Sequence, residues 1–221
     1  MKTALITGAT VNTGLGVAQK FASEGWNVVI TSRREEALSE AIEKIQRVNE
    51  NVQVLGYPLE LVLPDNNVNE DGIAGIFADL DEKGLHVDCL VLNAANLGIR
   101  QQIFKNPLSD FVNVINTNVV ANYCLIENAA RRMVNKHDGS IVFVNSNTAY
   151  RAIPDRIAYS TSKSAQLGMM RALALDLGKS FSVRVIAVVL AFVVADPRRN
   201  TCGDLGCGNL HDTVSETLTL S

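Results

Sequence analysis

Short apolar runs rich in valine, isoleucine and leucine alternate with longer amphipathic stretches along most of the chain. The runs are Thr3–Thr7, Asn27–Thr31, Val52–Tyr57, Cys89–Asn93, Ser140–Asn145 and Val183–Val189. Each places Val, Ile or Leu on both faces, as strands covered by helices on both sides do. Between them Gly14–Glu24, Glu35–Asn49, Asn69–Lys83, Asp110–Asn135 and Ala158–Lys179 carry apolar residues at three- and four-residue spacing and read as helices, with Ser109 as the expected N-cap of the fourth. Strand and helix in strict alternation argue for parallel pairing through right-handed crossovers, which gives an α/β, doubly wound, mostly parallel sheet with helices on both faces.

At 221 residues and 47% hydrophobic content the chain can bury a sizeable core as one unit. No linker or repeat interrupts residues 1–195, which are expected to form one domain, while residues 196–221 are rich in chain breakers and read as a loop-like tail. The net charge is −3 and no basic cluster is present, so no nucleic-acid partner is expected. The apolar run Val185–Ala195 is about half of what a membrane-spanning helix needs, so no membrane segment is expected. The apolar start at Met1–Ile6 is too short for a signal-peptide core, and the expected location is cytoplasmic. In that compartment Cys89, Cys124, Cys202 and Cys207 are expected as free thiols. The spacing of Cys202, Cys207 and His211 matches no recognised zinc knuckle, and no metal is expected.

The first run leads straight into Thr7-Gly8-Ala9-Thr10-Val11-Asn12-Thr13-Gly14-Leu15-Gly16 and then a helix. Glycines there let backbone amides at a helix N-terminus approach a pyrophosphate, although an ordinary glycine-bearing turn would carry the same residues. The second run ends in Thr31-Ser32-Arg33-Arg34, with no acid to bond a ribose hydroxyl. Two guanidiniums suit a 2′-phosphate, so NADP(H) is expected in preference to NAD(H); the alternative is a solvated basic pair opening the next helix. Tyr159 and Lys163 stand four apart in a helical stretch and share a face. An ammonium there can lower the phenol's pKa and make it a usable acid or base, while a half-buried tyrosine beside a solvated lysine would show the same spacing. Ser146 and Asn93 end the fifth and fourth runs, on the edge where doubly wound sheets present their ligands.

In this order and spacing the residues resemble the short-chain dehydrogenases/reductases, over roughly residues 1–190. Thr7-Gly8 with the downstream Gly14-Leu15-Gly16 is similar to the family's cofactor loop, and Leu92-Asn93-Ala94-Ala95 is similar to its Asn-Ala-Gly element. Asn118 matches its helix asparagine, Ser146 stands thirteen residues before the tyrosine, and Tyr159-Ser160-Thr161-Ser162-Lys163 resembles the Tyr-x-x-x-Lys signature. The resemblance implies a Rossmann-type fold and an NADP(H)-dependent oxidoreductase that interconverts a ketone or aldehyde and an alcohol by hydride transfer. It implies that Tyr159 exchanges a proton with the substrate oxygen, that Lys163 holds the nicotinamide ribose and lowers the tyrosine pKa, that Ser146 polarises the carbonyl, and that Asn118 anchors a water relay through the lysine. The cofactor contacts it implies are Gly8, Asn12, Thr13, Gly14, Leu15, Gly16, Ser32, Arg33, Arg34, Glu60, Leu61, Asn93, Ala94, Ala95, Tyr159 and Lys163. A small-molecule carbonyl or alcohol is the expected partner, with a homo-oligomer as the assembly the family suggests.

The chain departs from that pattern in four places. Gly8 and Gly14 are six apart rather than four, and Glu60 stands where the family has an aspartate near the adenine. Leu190-Ala191-Phe192-Val193-Val194-Ala195 replaces a Pro-Gly and threonine that shape the nicotinamide pocket, and nothing after Asp196 resembles the family's last strand, which the sheet is expected to lack. These departures support a second reading, a catalytically impaired nucleotide-binding or protein-interaction homologue.

Overall fold

The computed structural model describes residues 1–190. Within them the six strands are β1 (Thr3–Thr7), β2 (Asn27–Ser32), β3 (Val54–Pro58), β4 (Val87–Leu92), β5 (Gly139–Ser146) and β6 (Val183–Leu190). All pair in parallel, in the spatial order β3-β2-β1-β4-β5-β6. The chain winds outward from β1 to β3, then crosses back to β4 and winds outward in the other direction. At this switch the loops after β1 and β4 diverge and open a crevice at the carboxyl ends of the strands, the place where such sheets bind ligands.

The helices are α1 (Asn12–Ser23), α2 (Glu35–Gln46), α3 (Glu70–Glu82), α4 (Leu108–Ile115), α5 (Ala121–Lys136) and α6 (Ile157–Phe181). Side chains alternate across the sheet. Leu5, Val29, Leu90 and Phe143 pack with Phe77 of α3 and with Leu125, Ile126 and Met133 of α5. Ala4, Ile6, Val28 and Ile30 pack on the other face with Ala18 and Ala22 of α1 and Leu38, Ala41 and Ile45 of α2. Burial on both faces explains why the strands read as continuous apolar runs. β6 departs from that expectation, since Ile186 and Val188 remain 48% and 46% exposed.

Several boundaries differ from the sequence reading for identifiable reasons. β4 starts at Val87, before Cys89, because Val87 pairs with Thr3 of β1 ahead of a register shift, where the Asp88 carboxylate accepts from the Thr3 backbone N–H (2.8 Å). Ser109 is not a cap: α4 begins at Leu108 behind Pro107, whose φ of −66° suits a helix entry. The single helix expected over Asp110–Asn135 is α4, a π-turn at Asn116–Val120 and α5, in unbroken succession. α1 starts at Asn12, two residues before Gly14, so the longer glycine loop is partly absorbed into the helix.

Cys89 and Cys124 are free thiols. Cys202, Cys207, His211, residues 191–195 of the expected domain, the expected tail and the question of a last strand all lie outside the described residues. No helix among the described residues is long and apolar enough to cross a membrane.

Candidate active site

The floor of the crevice is a stitched junction between β1 and β4. The Thr7 hydroxyl accepts from the backbone N–H groups of Asn93 and Ala94 (3.0 Å each), while Asn93 Nδ2 donates to the carbonyls of Thr7 (2.9 Å) and Gly8 (3.0 Å). Gly8 has φ +63°, and a Cβ there would sit 3.0 Å from Ala94 Cα. Gly14 is equally constrained, since a Cβ would lie 2.6 Å from both Asn93 Nδ2 and the Gly8 carbonyl. Both positions therefore admit only glycine without displacement of backbone.

Gly16 differs, because a Cβ at this position would meet nothing within 4 Å. The α1 N-terminus has Val11 as N-cap with no side-chain cap and no acid in its first turn. Its leading N–H groups and the positive end of the helix dipole are thus uncompensated beside open space, a donor set that fits a diphosphate. Asn12 is exposed, Thr13 is half-buried, and Leu15 packs onto the core on the α1 and α2 side.

At the end of β2, Ser32 Oγ accepts from the Arg34 backbone N–H (3.3 Å), and Arg34 is the N-cap of α2. Arg33 and Glu60 form an exposed ion pair at 3.9 Å, too loose and too solvated to hold the guanidinium firmly. Leu61 is buried with the core, so any contact it makes to a nucleotide comes from its backbone, whereas Ala95 is exposed in the loop after β4.

On the other side of the crevice the structure brings Ser146, Tyr159, Lys163 and Asn118 together. Ser146 ends β5, and its hydroxyl accepts from Thr148 N (3.3 Å). Tyr159 and Lys163 lie one turn apart on α6, and the Lys163 Nζ stands over the phenol ring, 5.7 Å from its centroid. Burial pushes the Tyr159 phenol up, while the neighbouring Ser146 hydroxyl and the Arg156 guanidinium pull it down. The expected lowering by Lys163 is not what the geometry provides, since its ammonium donates instead to the Val144 carbonyl (2.8 Å) and to Gln166 Oε1 (3.2 Å). Lys163 is 2% exposed, and desolvation lowers its own pKa from 10.5 to about 8.

Asn118 sits in the π-turn with no exposure. Its side chain accepts from Asn96 N (2.7 Å) and donates to the Asn96 carbonyl (2.8 Å) and to Ser162 Oγ (2.9 Å), so it fixes the loop after β4 against α6. Its backbone carbonyl accepts from Asn122 Nδ2 (2.8 Å) and Gln166 Nε2 (2.7 Å).

The sequence reading missed Asn96, Asn145, Ser162 and Gln166. Asn145 is 2% exposed, and its Nδ2 donates to the Lys163 carbonyl (3.0 Å) and faces Gln166 Oε1 (3.5 Å). Gln166 stands three residues after Lys163 on one helix, a spacing that places both side chains on the same face and was the available signal. A separate hollow of about 830 Å³ lies beside the start of α6, lined by Tyr150, Ile153, Arg156, Ile157, Ser160 and Ser164 among others; neither Tyr159 nor Lys163 lines it.

Comparison with known proteins bears on the fold and the family. The chain is 28% identical over 189 residues to the 3-oxoacyl-acyl-carrier-protein reductase FabG of Buchnera aphidicola subsp. Acyrthosiphon pisum, covering 84% of this chain and 72% of that protein. Its fold matches the crystal structure of an NAD+-bound xylitol dehydrogenase with TM-score 0.78 at 27% identity, over 86% of this chain and 70% of that one. It also matches a metagenomic short-chain oxidoreductase in complex with NADP, with TM-score 0.76 at 26% identity, over 86% of this chain and 81% of that one. The family model described as short chain dehydrogenase matches residues 2–203. With that match over nearly the whole chain, and a parallel sheet whose switch point carries the glycine loop, the protein belongs to the short-chain dehydrogenase family and is an oxidoreductase of that family.

Proposed function

We propose that the protein is an NADP(H)-dependent oxidoreductase that interconverts a ketone or aldehyde and an alcohol, with Tyr159 as the proton-transfer group. The observation that carries this reading is the convergence of Ser146, Tyr159 and Lys163 on one side of a crevice whose other side is the uncapped start of α1. The bound nicotinamide supplies or accepts the hydride. Everything else falls to the chain. In the reducing direction Tyr159 Oη donates its proton to the carbonyl oxygen as that oxygen gains charge, and the Ser146 hydroxyl supplies a second donor to the same atom. The phenol, raised by burial, is protonated at neutral pH and therefore ready to act as the acid. Lys163 has two partners among the described residues, which leaves one N–H for the nicotinamide ribose.

Arg33 and Arg34 support the preference for a 2′-phosphate, since the 3.9 Å pair with Glu60 is weak enough for a phosphate to displace. The substrate is a small carbonyl compound or alcohol. The test is a titration of the full chain with NADPH and with NADH, followed by nucleotide fluorescence and thermal shift, because a ligand that binds only the native state raises its stability. Preferential binding of NADPH followed by oxidation of NADPH in a screen of ketones and aldehydes is the expected result. Binding of neither nucleotide overturns the reading and leaves the impaired homologue in its place.

A further inference from the structure

The groups around Lys163 form a closed polar cluster inside an otherwise apolar region. Gln166 is 1% exposed and uses both ends of its amide: Oε1 accepts from Lys163 Nζ (3.2 Å), and Nε2 donates to the Asn118 carbonyl (2.7 Å). Asn118's carbonyl also accepts from Asn122 Nδ2 (2.8 Å), so both of its lone pairs are taken.

We propose that Gln166 is a positioning residue for the reaction, a side-chain amide that clamps Lys163 to the π-turn. This rests on the oxidoreductase reading above. The amide is held at both ends, so Lys163 is fixed against the Val144 carbonyl and Gln166, and Gln166 in turn against the π-turn.

The groups facing Lys163 are few. From β5 the Val144 carbonyl accepts from its ammonium and Asn145 Nδ2 donates to its backbone carbonyl, from its own helix come Gln166 and the Tyr159 ring, and the π-turn reaches it through Gln166. No carboxylate is bonded to it among the described residues. Among the described residues the neutral Oε1 of Gln166 is therefore the one side-chain acceptor on the ammonium, and a change at residue 166 acts on Lys163 directly.

The experiment compares the full chain with Gln166→Leu and Gln166→Glu. Titration of the Lys163 Nζ resonance in 15N-lysine-labelled protein, assigned with Lys163→Arg, reads the clamp without need of activity. The pH dependence of kcat/KM for NADPH oxidation with a ketone reads its part in the reaction. Gln166→Glu is expected to raise the Lys163 midpoint by about one pH unit or more, and Gln166→Leu to lower it, because the first adds an opposite charge and the second removes the acceptor. The alkaline limb of kcat/KM should move in the same two directions, and Gln166→Leu should weaken NADPH binding about tenfold through loss of a bond to a charged group. If Gln166→Leu does not fold, Gln166→Glu decides alone. An unmoved Lys163 midpoint in variants that still bind nucleotide overturns the role of Gln166 and leaves the oxidoreductase reading intact. A moving midpoint in proteins of which none binds NADPH or NADH overturns the oxidoreductase reading, and with it any part for Gln166 in a reaction.

Discussion

Replacing Lys163 by methionine should flatten the rise of stability with pH that the buried ammonium imposes. In the folded chain desolvation lowers the Lys163 pKa from 10.5 to about 8. Between those two values the unfolded chain holds a proton that the folded chain has released, so stability increases with pH across the interval. Below about pH 8 both states are protonated and the full cost of burying the charge is present. Above 10.5 both are neutral and that cost is gone. The difference is worth about 3 kcal/mol over the whole interval, and about 2 kcal/mol between pH 8 and 9.5, at 1.36 kcal/mol per unit. Urea unfolding at fixed pH steps reads this as a rise of about 1 M in the midpoint for the unmodified chain. Cys89, Cys124, Tyr57 and Tyr159 are all raised by burial and act in the opposite direction, but they are common to both proteins, so the difference between the two curves isolates Lys163. Lys163→Met also takes the ammonium donor from the Val144 carbonyl and from Gln166 Oε1, which costs about 1–3 kcal/mol at every pH and offsets the curve without tilting it. Parallel curves for the two proteins would refute the reasoning, since they would mean that Lys163 keeps an ordinary pKa in the fold.

Three further outcomes follow from the site. Tyr159→Phe should lower kcat by about 10²–10⁴-fold, the usual contribution of a general acid, and leave NADPH binding nearly unchanged; an unaltered rate removes Tyr159 as the proton donor. Arg33→Ala should weaken NADPH about 10- to 150-fold, with little effect on NADH, as loss of one charge-assisted phosphate contact predicts; equal effects on both nucleotides would place the 2′-phosphate elsewhere. Gly14→Ala and Gly16→Ala should separate fold from binding. The first forces a Cβ to within 2.6 Å of backbone and should destabilise the protein by about 1–3 kcal/mol in urea unfolding. The second adds a Cβ to open space and should leave the fold unharmed while it weakens NADPH in the fluorescence titration.

The sheet was legible because its central strands β1, β2 and β4 are buried on both faces, so their residues advertise burial without needing a partner to be known. Tyr159 and Lys163 were legible through helical spacing, and Gly8 through its place directly after β1. What the sequence concealed has a common physical cause, namely polar residues whose partners are far along the chain. Asp88 reads as a loop residue until its bond to Thr3, 85 positions away, is seen. Gln166 reads as an exposed helix position until Asn118, 48 positions away, is brought against it. The π-turn leaves no local sign beyond the weak helix formers Asn116, Thr117 and Asn118, because the fit of its neighbours, not propensity, maintains it.

That π-turn acts as a phase shifter. One additional residue is accommodated within a helix that otherwise runs from Leu108 to Lys136, so α4 is rotated by about 100° relative to the frame that α5 would have extended backward. Asn113, which donates to Asn66 Oδ1 (2.9 Å) and accepts from Asn96 Nδ2 (2.6 Å), and Asn118, which holds the backbone of Asn96, can therefore grip the same loop from two sides. Deleting any single residue between Asn116 and Val120 would restore a uniform helix and turn one of the two grips away from Asn96. The length of this short segment, as well as its composition, therefore sets how the loop after β4 is held.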